Sequence, residues 1–200
     1  RGPLDYVHRI KLEILLRAEA EFGLPFIYVD CDTRWLKIPD EPFAKLMGNP
    51  EQPAKDKHAN FYMHVMEGDI SNTFFAQYFH LLGKQRERLT QWGLRHNPPW
   101  TMWNSGTIGL PSCASGALAK ILTMTDALLP HVRQRNWVEQ LAISLVATNQ
   151  FEVKAFDSYL THYWNFSYEL PVLLRHFFSS IPSNASVEAL AEQCDRFPLD

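Results

Sequence analysis

Two aspartates one residue apart, Asp30 and Asp32, form the sharpest chemical feature of the chain. They directly follow the apolar run Phe26–Val29, which predicts a short buried strand of the kind found in parallel sheets. In open α/β sheets, ligands bind in the crevice at the C-terminal ends of the strands. Two adjacent carboxylates repel unless a cation lies between them, and Mg²⁺ or Mn²⁺ prefers oxygen ligands. We predict a divalent metal site; alternatively, one aspartate caps a turn and the other is solvated.

Three later segments also carry side chains that can do chemistry. A strand-like segment with two glycines holds Asn104 and Ser105, which can hydrogen-bond to hydroxyls, although the motif taken alone favours a bulged strand. Glu139 and Gln140 stand early in a predicted helix, where the helix dipole favours a carboxylate whether or not it is functional. His176 ends a strand-like run, and a lone histidine is more often structural. Each signal is weak alone, so their order along the chain is what carries information.

Helical and strand-like segments alternate, which predicts a layered α/β fold. Helices are predicted at Tyr6–Phe22, Ile70–Leu94, Ser112–Leu129 (with Ser112 as the cap), Trp137–Thr148 and from Ser186 onward. Strands are predicted at Phe26–Val29, Phe61–Met66, Trp103–Leu110, Glu152–Phe156 and Val172–Phe177, with a polar loop at residues 48–57. The 200 residues suit a single domain, residues 1–200.

Composition excludes several function classes. The net charge is −3 and there is no long basic run, which argues against a nucleic-acid partner. No apolar segment is long enough to span a bilayer, so we expect no transmembrane segment in this chain. The three cysteines are scattered and odd in number, which argues against a disulfide framework. A cytoplasmic location is slightly favoured; the Golgi lumen is possible if an N-terminal anchor was removed.

The order of these features resembles that of GT-A-type glycosyltransferases, especially the glycogenin and galactosyltransferase-like branch. The shared order is an apolar strand, a DxDT motif, an aromatic-Asn-Ser-Gly strand, an acidic-Gln helix start, Trp164-Asn165, and a final His-Phe. It extends from Lys11 to about Pro182. The resemblance implies a GT-A-like, Rossmann-like α/β fold with a mixed sheet flanked by helices.

The resemblance also implies a role for each matched position. Asp30 and Asp32 would bind Mn²⁺ or Mg²⁺, and through it the donor diphosphate, with His176 as a further metal ligand. The implied donor contacts are Lys11, Asp30, Asn104, Ser105 and Gly106, and the implied catalytic residues are Glu139 and Gln140, beside the reacting sugar carbon. The donor would be a UDP- or GDP-sugar, and the acceptor a glycan, a protein or a small molecule.

The chain departs from the family pattern at both ends. Only 29 residues precede Asp30, so we expect the nucleotide-binding βαβ region to be missing, supplied elsewhere or cut away. The Lys-Pro-Trp tail that usually follows the metal-binding histidine is absent, and Ser179, Ser180 and Pro182 stand nearby instead.

Two other readings compete with a transferase. The first is a non-catalytic GT-A-like domain that binds partners or glycans, and the second is a metal-dependent hydrolase of another α/β fold, with Asp30 as ligand or nucleophile. Trp35, Trp92 and Trp100, if exposed, could stack on an acceptor sugar, although most tryptophans serve the core.

Overall fold

The computed structural model describes residues 5–47, 59–95, 97–164 and 169–195. The predicted loop at residues 48–57 and Asn165 lie outside these described residues. The helices, in chain order, are α1 Arg9–Phe22, α2 Asp40–Met47, α3 Ala76–Lys84, α4 Arg86–Gln91, α5 Ala117–Leu128, α6 Val138–Gln150, α7 Leu170–Ser180 and α8 Val187–Asp195. The strands are β1 Phe26–Val29, β2 Thr33–Trp35, β3 Asn60–Met63, β4 Met66–Asp69, β5 Thr101–Trp103, β6 Thr107–Leu110, β7 Glu152–Ala155 and β8 Leu160–His162. Short 3-10 turns occur at Thr73–Phe75 and Leu129–His131.

The chain divides into two compact units between Thr161 and His162. The first unit contains α1 to α6 and the strands, and the second contains α7 and α8. The division falls inside β8, whose last residue is His162.

The central sheet of the first unit has four strands in the order β1-β6-β3-β7. Strands β1 and β3 both pair antiparallel with β6, whereas β7 pairs parallel with β3. Two further pairs, β2-β8 and β4-β5, form small separate sheets. The sheet is therefore mixed and is flanked by helices, which confirms the predicted α/β class.

Alternating side chains bury both faces of the central sheet. Phe61 and Met63 of β3 belong to the main core, whereas Tyr62 between them packs in a second cluster with Leu46 and Phe156. This is the period of two that a β-strand imposes on its side chains. Both faces of β3 are therefore covered, one by each core cluster.

Helix α6 is buried on nearly every side. Each residue from Val138 to Ala147 is buried, in contrast to the single apolar stripe of a surface helix. It packs against α5 and β5. Glu139 and Gln140 therefore enter the interior with the first turn of the helix, and their polar atoms need internal partners.

The N-terminal elements agree with the predictions. Helix α1 ends where expected, at Gly23, whose φ of 75° suits glycine and whose N–H bonds to the carbonyl of Glu19. Strand β1 matches its predicted bounds, but the prediction that it is parallel is wrong. It lies at the edge of the sheet and pairs antiparallel with β6 alone. Its apolar run is continuous because side chains on both of its faces pack against a core cluster.

Two predicted strands are each divided between two sheets. The segment Trp103–Leu110 splits into β5, which pairs with β4, and β6, which pairs with β1 and β3. The segment Phe61–Met66 likewise splits into β3 and β4. The chain thus changes sheets at residues 104–106, and the Asn-Ser-Gly motif forms a turn rather than the interior of a strand.

Two predicted helices also differ in the structure. The helix expected over Ile70–Leu94 is a 3-10 turn followed by α3 and α4, which are separated at Gln85. Ser112 does not cap α5. The N-cap residue of α5 is Gly116, which has a left-handed backbone conformation (φ 79°). The predicted last helix is confirmed, and the hydroxyl of Ser186 accepts a hydrogen bond from the N–H of Ala189 at 3.2 Å.

The strand predicted at Val172–Phe177 is wrong, because this segment lies in helix α7 of the second unit. Pro171 stands in the first turn of α7, where its missing N–H costs nothing. Short apolar runs fit a strand or a helix equally well, so periodicity alone could not decide. His176 therefore lies within a helix and not at the end of a strand.

The remaining predictions concern cysteines, tryptophans and membranes. The structure has no disulfide bond at Cys31, Cys113 or Cys194. Trp100 is only 4% exposed, so it serves the core, whereas Trp35 is 46% exposed. None of the described helices is long and apolar enough to cross a membrane.

Candidate functional site

The ammonium of Lys11 joins three segments that are far apart in sequence. Its Nζ donates to Asp30 Oδ2 at 3.1 Å, to the carbonyl of Ser105 at 3.1 Å and to Ser105 Oγ at 3.3 Å. It also lies 3.3 Å from Glu139 Oε1. The Lys11 side chain is 13% exposed and that of Glu139 is 2% exposed. We call Lys11, Asp30, Ser105 and Glu139 the lysine cluster.

Each member of the lysine cluster is placed by a separate element. Lys11 lies in α1, directly before Leu12, which is fully buried. Asp30 follows the last residue of β1, and its N–H bonds to the carbonyl of Gly106 at 2.8 Å. Ser105 lies in the turn between β5 and β6, and Glu139 in the first turn of α6. The fold therefore brings together four of the positions predicted from sequence.

The Ser105 hydroxyl links the ammonium to the Glu139 carboxylate. Ser105 Oγ accepts from Lys11 and donates to Glu139 Oε1 at 2.8 Å. The backbone N–H of Glu139, an N–H without an intrahelical partner in the first turn, donates to the hydroxyl of Tyr6 at 3.2 Å. Glu139 is thus held at both its side chain and its backbone.

Opposite charges decide the protonation state of Lys11. Burial by itself would lower the Lys11 pKa, but the charges of Glu139 and Asp30 and their hydrogen bonds outweigh it and raise that pKa. Lys11 is therefore a cation that offsets the charge of two carboxylates. It also lies 5.5 Å from the centre of the Tyr28 ring, within range of a cation–π contact.

Tyr28 is a member of the site that the sequence analysis missed. Its hydroxyl donates to Asp30 Oδ1 at 2.5 Å, so both oxygens of Asp30 accept hydrogen bonds. Burial, followed by this bond to Asp30, raises the Tyr28 pKa far above its ordinary value. Tyr28 and Asp30 lie two positions apart, which would place them on one face of an extended chain, and this spacing was the available signal.

Glu67 is the second residue missed, and it organises the neighbouring amides. Its Oε1 accepts from Asn104 Nδ2 at 2.9 Å and its Oε2 accepts from Gln140 Nε2 at 2.7 Å. The amide oxygens in turn accept backbone N–H groups, that of Gly106 at 2.9 Å and that of Ser105 at 3.4 Å. Nothing in the sequence around Glu67 indicates this role, because its partners come from two distant segments.

Gly106 contributes through its backbone. Its carbonyl accepts the N–H of Asp30, while its N–H donates to the side chain of Asn104. These bonds fix the turn that carries Ser105 beside the end of β1. The predicted set of Asn104, Ser105 and Gly106 is therefore one connected turn.

Four carboxylates belong to this region or adjoin it in sequence. Asp30 and Glu139 contact the ammonium of Lys11, Glu67 bonds to the neighbouring amides, and Asp32 stands two residues after Asp30. Asp30, Asp32 and His162 each offer one ligand atom, and these three atoms lie within 4.8 Å of one another. His162 is the last residue of β8. This strand pairs with β2, which begins directly after Asp32. Two carboxylate oxygens and one imidazole nitrogen are atoms that could hold a metal ion.

The predicted histidine ligand, His176, belongs to the second unit, and its role as a ligand stays a prediction. His176 lies in helix α7, whereas His162 lies in a strand paired with β2. The sequence around His162 does not indicate this position, because the pairing of β8 with β2 cannot be read from either strand alone.

Comparison with known protein families, curated proteins and solved structures finds no match for this chain. The resemblance to GT-A transferases therefore remains an expectation from sequence.

Proposed function

We propose that this chain is a metal-dependent glycosyltransferase that moves a sugar from a nucleotide-diphosphate-sugar to an acceptor. The observation that carries the proposal is the lysine cluster. Four positions that the resemblance assigned to donor binding and catalysis, in four separate segments, contact one another through Lys11. If the four motifs were unrelated, there would be no reason for these residues to contact one another.

Asp30 and Asp32 would hold the implied Mn²⁺ or Mg²⁺, with His162 as a nitrogen ligand. Carboxylate oxygens are the ligands these ions prefer, and the excess negative charge of the region attracts cations. When bound, such an ion neutralises the charge that develops on a departing diphosphate. Lys11 acts here as a positioning residue, because its ammonium orients Asp30 Oδ2 and keeps Glu139 paired.

Glu139 would supply the negative charge that stabilises the reacting sugar, whereas the metal ion acts on the departing diphosphate. The sugar ring becomes cation-like as the leaving group departs, and a nearby carboxylate stabilises that charge. Asn104 and Gln140, whose amides are oriented by Glu67, would form the polar wall beside it.

One observation favours a second candidate, a non-catalytic GT-A-like binding domain. Glu139 is only 2% exposed, and its Oε1 is already bonded by Ser105 and Lys11. A carboxylate with those partners also fits a purely structural network that joins α1 to α6. The two candidates differ in whether donor binding requires a metal ion.

The test is calorimetric titration of UDP-sugars and GDP-sugars into the protein, with Mn²⁺ and then with chelator. We expect binding only with Mn²⁺, and we expect Asp32→Asn to abolish it. Asp40→Asn is the matched control, since Asp40 is an exposed aspartate in the first turn of α2. Binding that survives both chelator and Asp32→Asn would contradict the metal role.

Activity assays separate the remaining candidates. Metal-dependent release of UDP or GDP in the presence of an acceptor supports the transferase. No donor binding under any condition favours the non-catalytic domain. Hydrolysis of a simple phosphate ester without nucleotide-sugar supports the metal-dependent hydrolase instead.

A further inference from the structure

A groove of about 390 Å³ lies between α3 and the segment that follows α5. Its lining residues are Gln77, His80, Leu81, Lys84, Gln85, His131, Val132 and Arg133. It shares no residue with the lysine cluster, so its ligand is a separate question. We call it the cationic groove.

The spacing of α3 builds one wall of the cationic groove. Gln77, His80 and Lys84 are three and four residues apart, so they share one face of the helix. Leu81 on the same face is buried, and so is Val132 on the opposite wall. The groove thus combines buried apolar residues with exposed polar and charged side chains.

The opposite wall is held in place by hydrogen bonds to α3. Gln77 Nε2 donates to the carbonyl of Gln134 at 3.1 Å, and the N–H of Gln134 donates to Gln77 Oε1 at 3.3 Å. The Tyr78 hydroxyl also donates to the Gln134 carbonyl, at 2.9 Å. The segment that carries His131 and Arg133 is therefore tied to the helix, and the groove is formed without a ligand.

The charged side chains that line the cationic groove are all positive. They are Lys84 and Arg133, and none of the eight lining residues is acidic. In the part of the chain that the structure describes, neither has an ion pair with a carboxylate, unlike Arg9, Lys11 and Lys45. Two cations on one groove with no carboxylate partner favour an anionic ligand.

Arg88 adds a third cation next to the groove. Its Nη1 lies 3.2 Å from Nε2 of His131, which is one of the lining residues. The guanidinium of Arg88 therefore adds to the positive charge around the groove.

We infer that the cationic groove binds a phosphate monoester of monosaccharide size. Lys84 and the forked guanidinium of Arg133 suit phosphate oxygens. The volume lies at the lower end of the range for small-molecule sites and exceeds what an inorganic anion needs. Gln85 and the histidines supply bonds for hydroxyls, and Leu81 and Val132 supply contacts for the apolar face of a sugar ring.

The test is calorimetric titration of glucose 6-phosphate, inorganic phosphate and glucose into the full chain. We expect glucose 6-phosphate to bind most tightly, with affinity that falls as salt rises. Lys84→Gln and Arg133→Gln should each weaken binding by about tenfold, since a charge-assisted hydrogen bond is worth that much. Arg17→Gln is the matched control, because Arg17 is 86% exposed on α1 and should leave the affinity unchanged.

Each outcome bears directly on the inference. Absence of glucose 6-phosphate binding, or equal binding to wild type and to the Lys84→Gln/Arg133→Gln double variant, overturns it. Equal affinity for inorganic phosphate overturns the assignment of a sugar-sized ligand, and equal affinity for glucose overturns the anion. Both substituted residues are exposed, so unchanged circular dichroism will show that the variants fold.

Discussion

Lys11 Nζ lies 3.3 Å from Glu139 Oε1, in a contact that joins the first helix of the chain to the buried helix α6. Both side chains are largely removed from water, so each charge depends on the other and on Asp30 and Ser105 for its stabilisation. Removing two charges from water is costly, and the pair persists only where further hydrogen bonds complete it. This relationship makes Lys11 the residue whose loss should reveal most about the site.

Lys11→Met should destabilise the protein by about 3 kcal/mol, because it leaves the buried carboxylate of Glu139 without its cation. The measurement is urea unfolding followed by tryptophan fluorescence. Lys45→Met is the control, since Lys45 forms an exposed pair with Glu41 within α2, and it should change little. The double variant Lys11→Met/Glu139→Gln should recover part of the loss. If the Lys11→Met protein is as stable as wild type, the Lys11 ammonium does not stabilise the buried carboxylate of Glu139.

Glu67→Gln should destabilise the protein by about 1 kcal/mol, because one end of the new amide becomes a donor that faces the donor of Asn104 or Gln140. The same change should alter the turn at residues 104–106, which is visible as shifts of the Ser105 and Gly106 amides in NMR spectra. Glu21→Gln removes an exposed glutamate of α1 and serves as the control. If the control and Glu67→Gln give equal spectra near residues 104–106, Glu67 does not orient the turn.

Two glycine substitutions should change stability in opposite directions. A Cβ at Gly109 would lie 2.9 Å from Tyr62 Cβ and 3.3 Å from Leu46 Cδ1, so Gly109→Ala overpacks the second core cluster. We expect a loss of about 1–3 kcal/mol. Gly83 lies within α3 with no atom within 4 Å of the added Cβ. There Gly83→Ala should gain up to about 1 kcal/mol. Thermal denaturation of both variants will test the pair, and a stabilised Gly109→Ala protein would contradict the packing of β6 against β3.

The sequence predicted those parts of the site that are local. The apolar run Phe26–Val29 followed by Asp30 placed the aspartates at the end of a strand, and Gly23 placed the end of α1. These features depend on a few neighbouring residues, whose spacing and backbone preferences act before any tertiary contact forms. The placement of Glu139 in the first turn of a helix is of the same kind.

Contacts between residues that are distant in sequence could not be predicted from local patterns. Glu67 and Tyr28 carry no motif, and they matter because Asn104, Gln140 and Asp30 meet them in space. His162 lies beside the aspartates because β8 pairs with β2, whereas His176 was favoured only by the order of motifs.

The sequence by itself determined the α/β class, the positions of α1 and β1, and the residue types of an acidic site with one lysine. The tertiary structure decided which of those residues touch, that Trp103–Leu110 divides between two sheets, and that the segment with His176 is a helix. The physical reason is that short apolar runs fit a strand or a helix equally well. Long-range packing and strand pairing make that choice, and neither is encoded in any single segment.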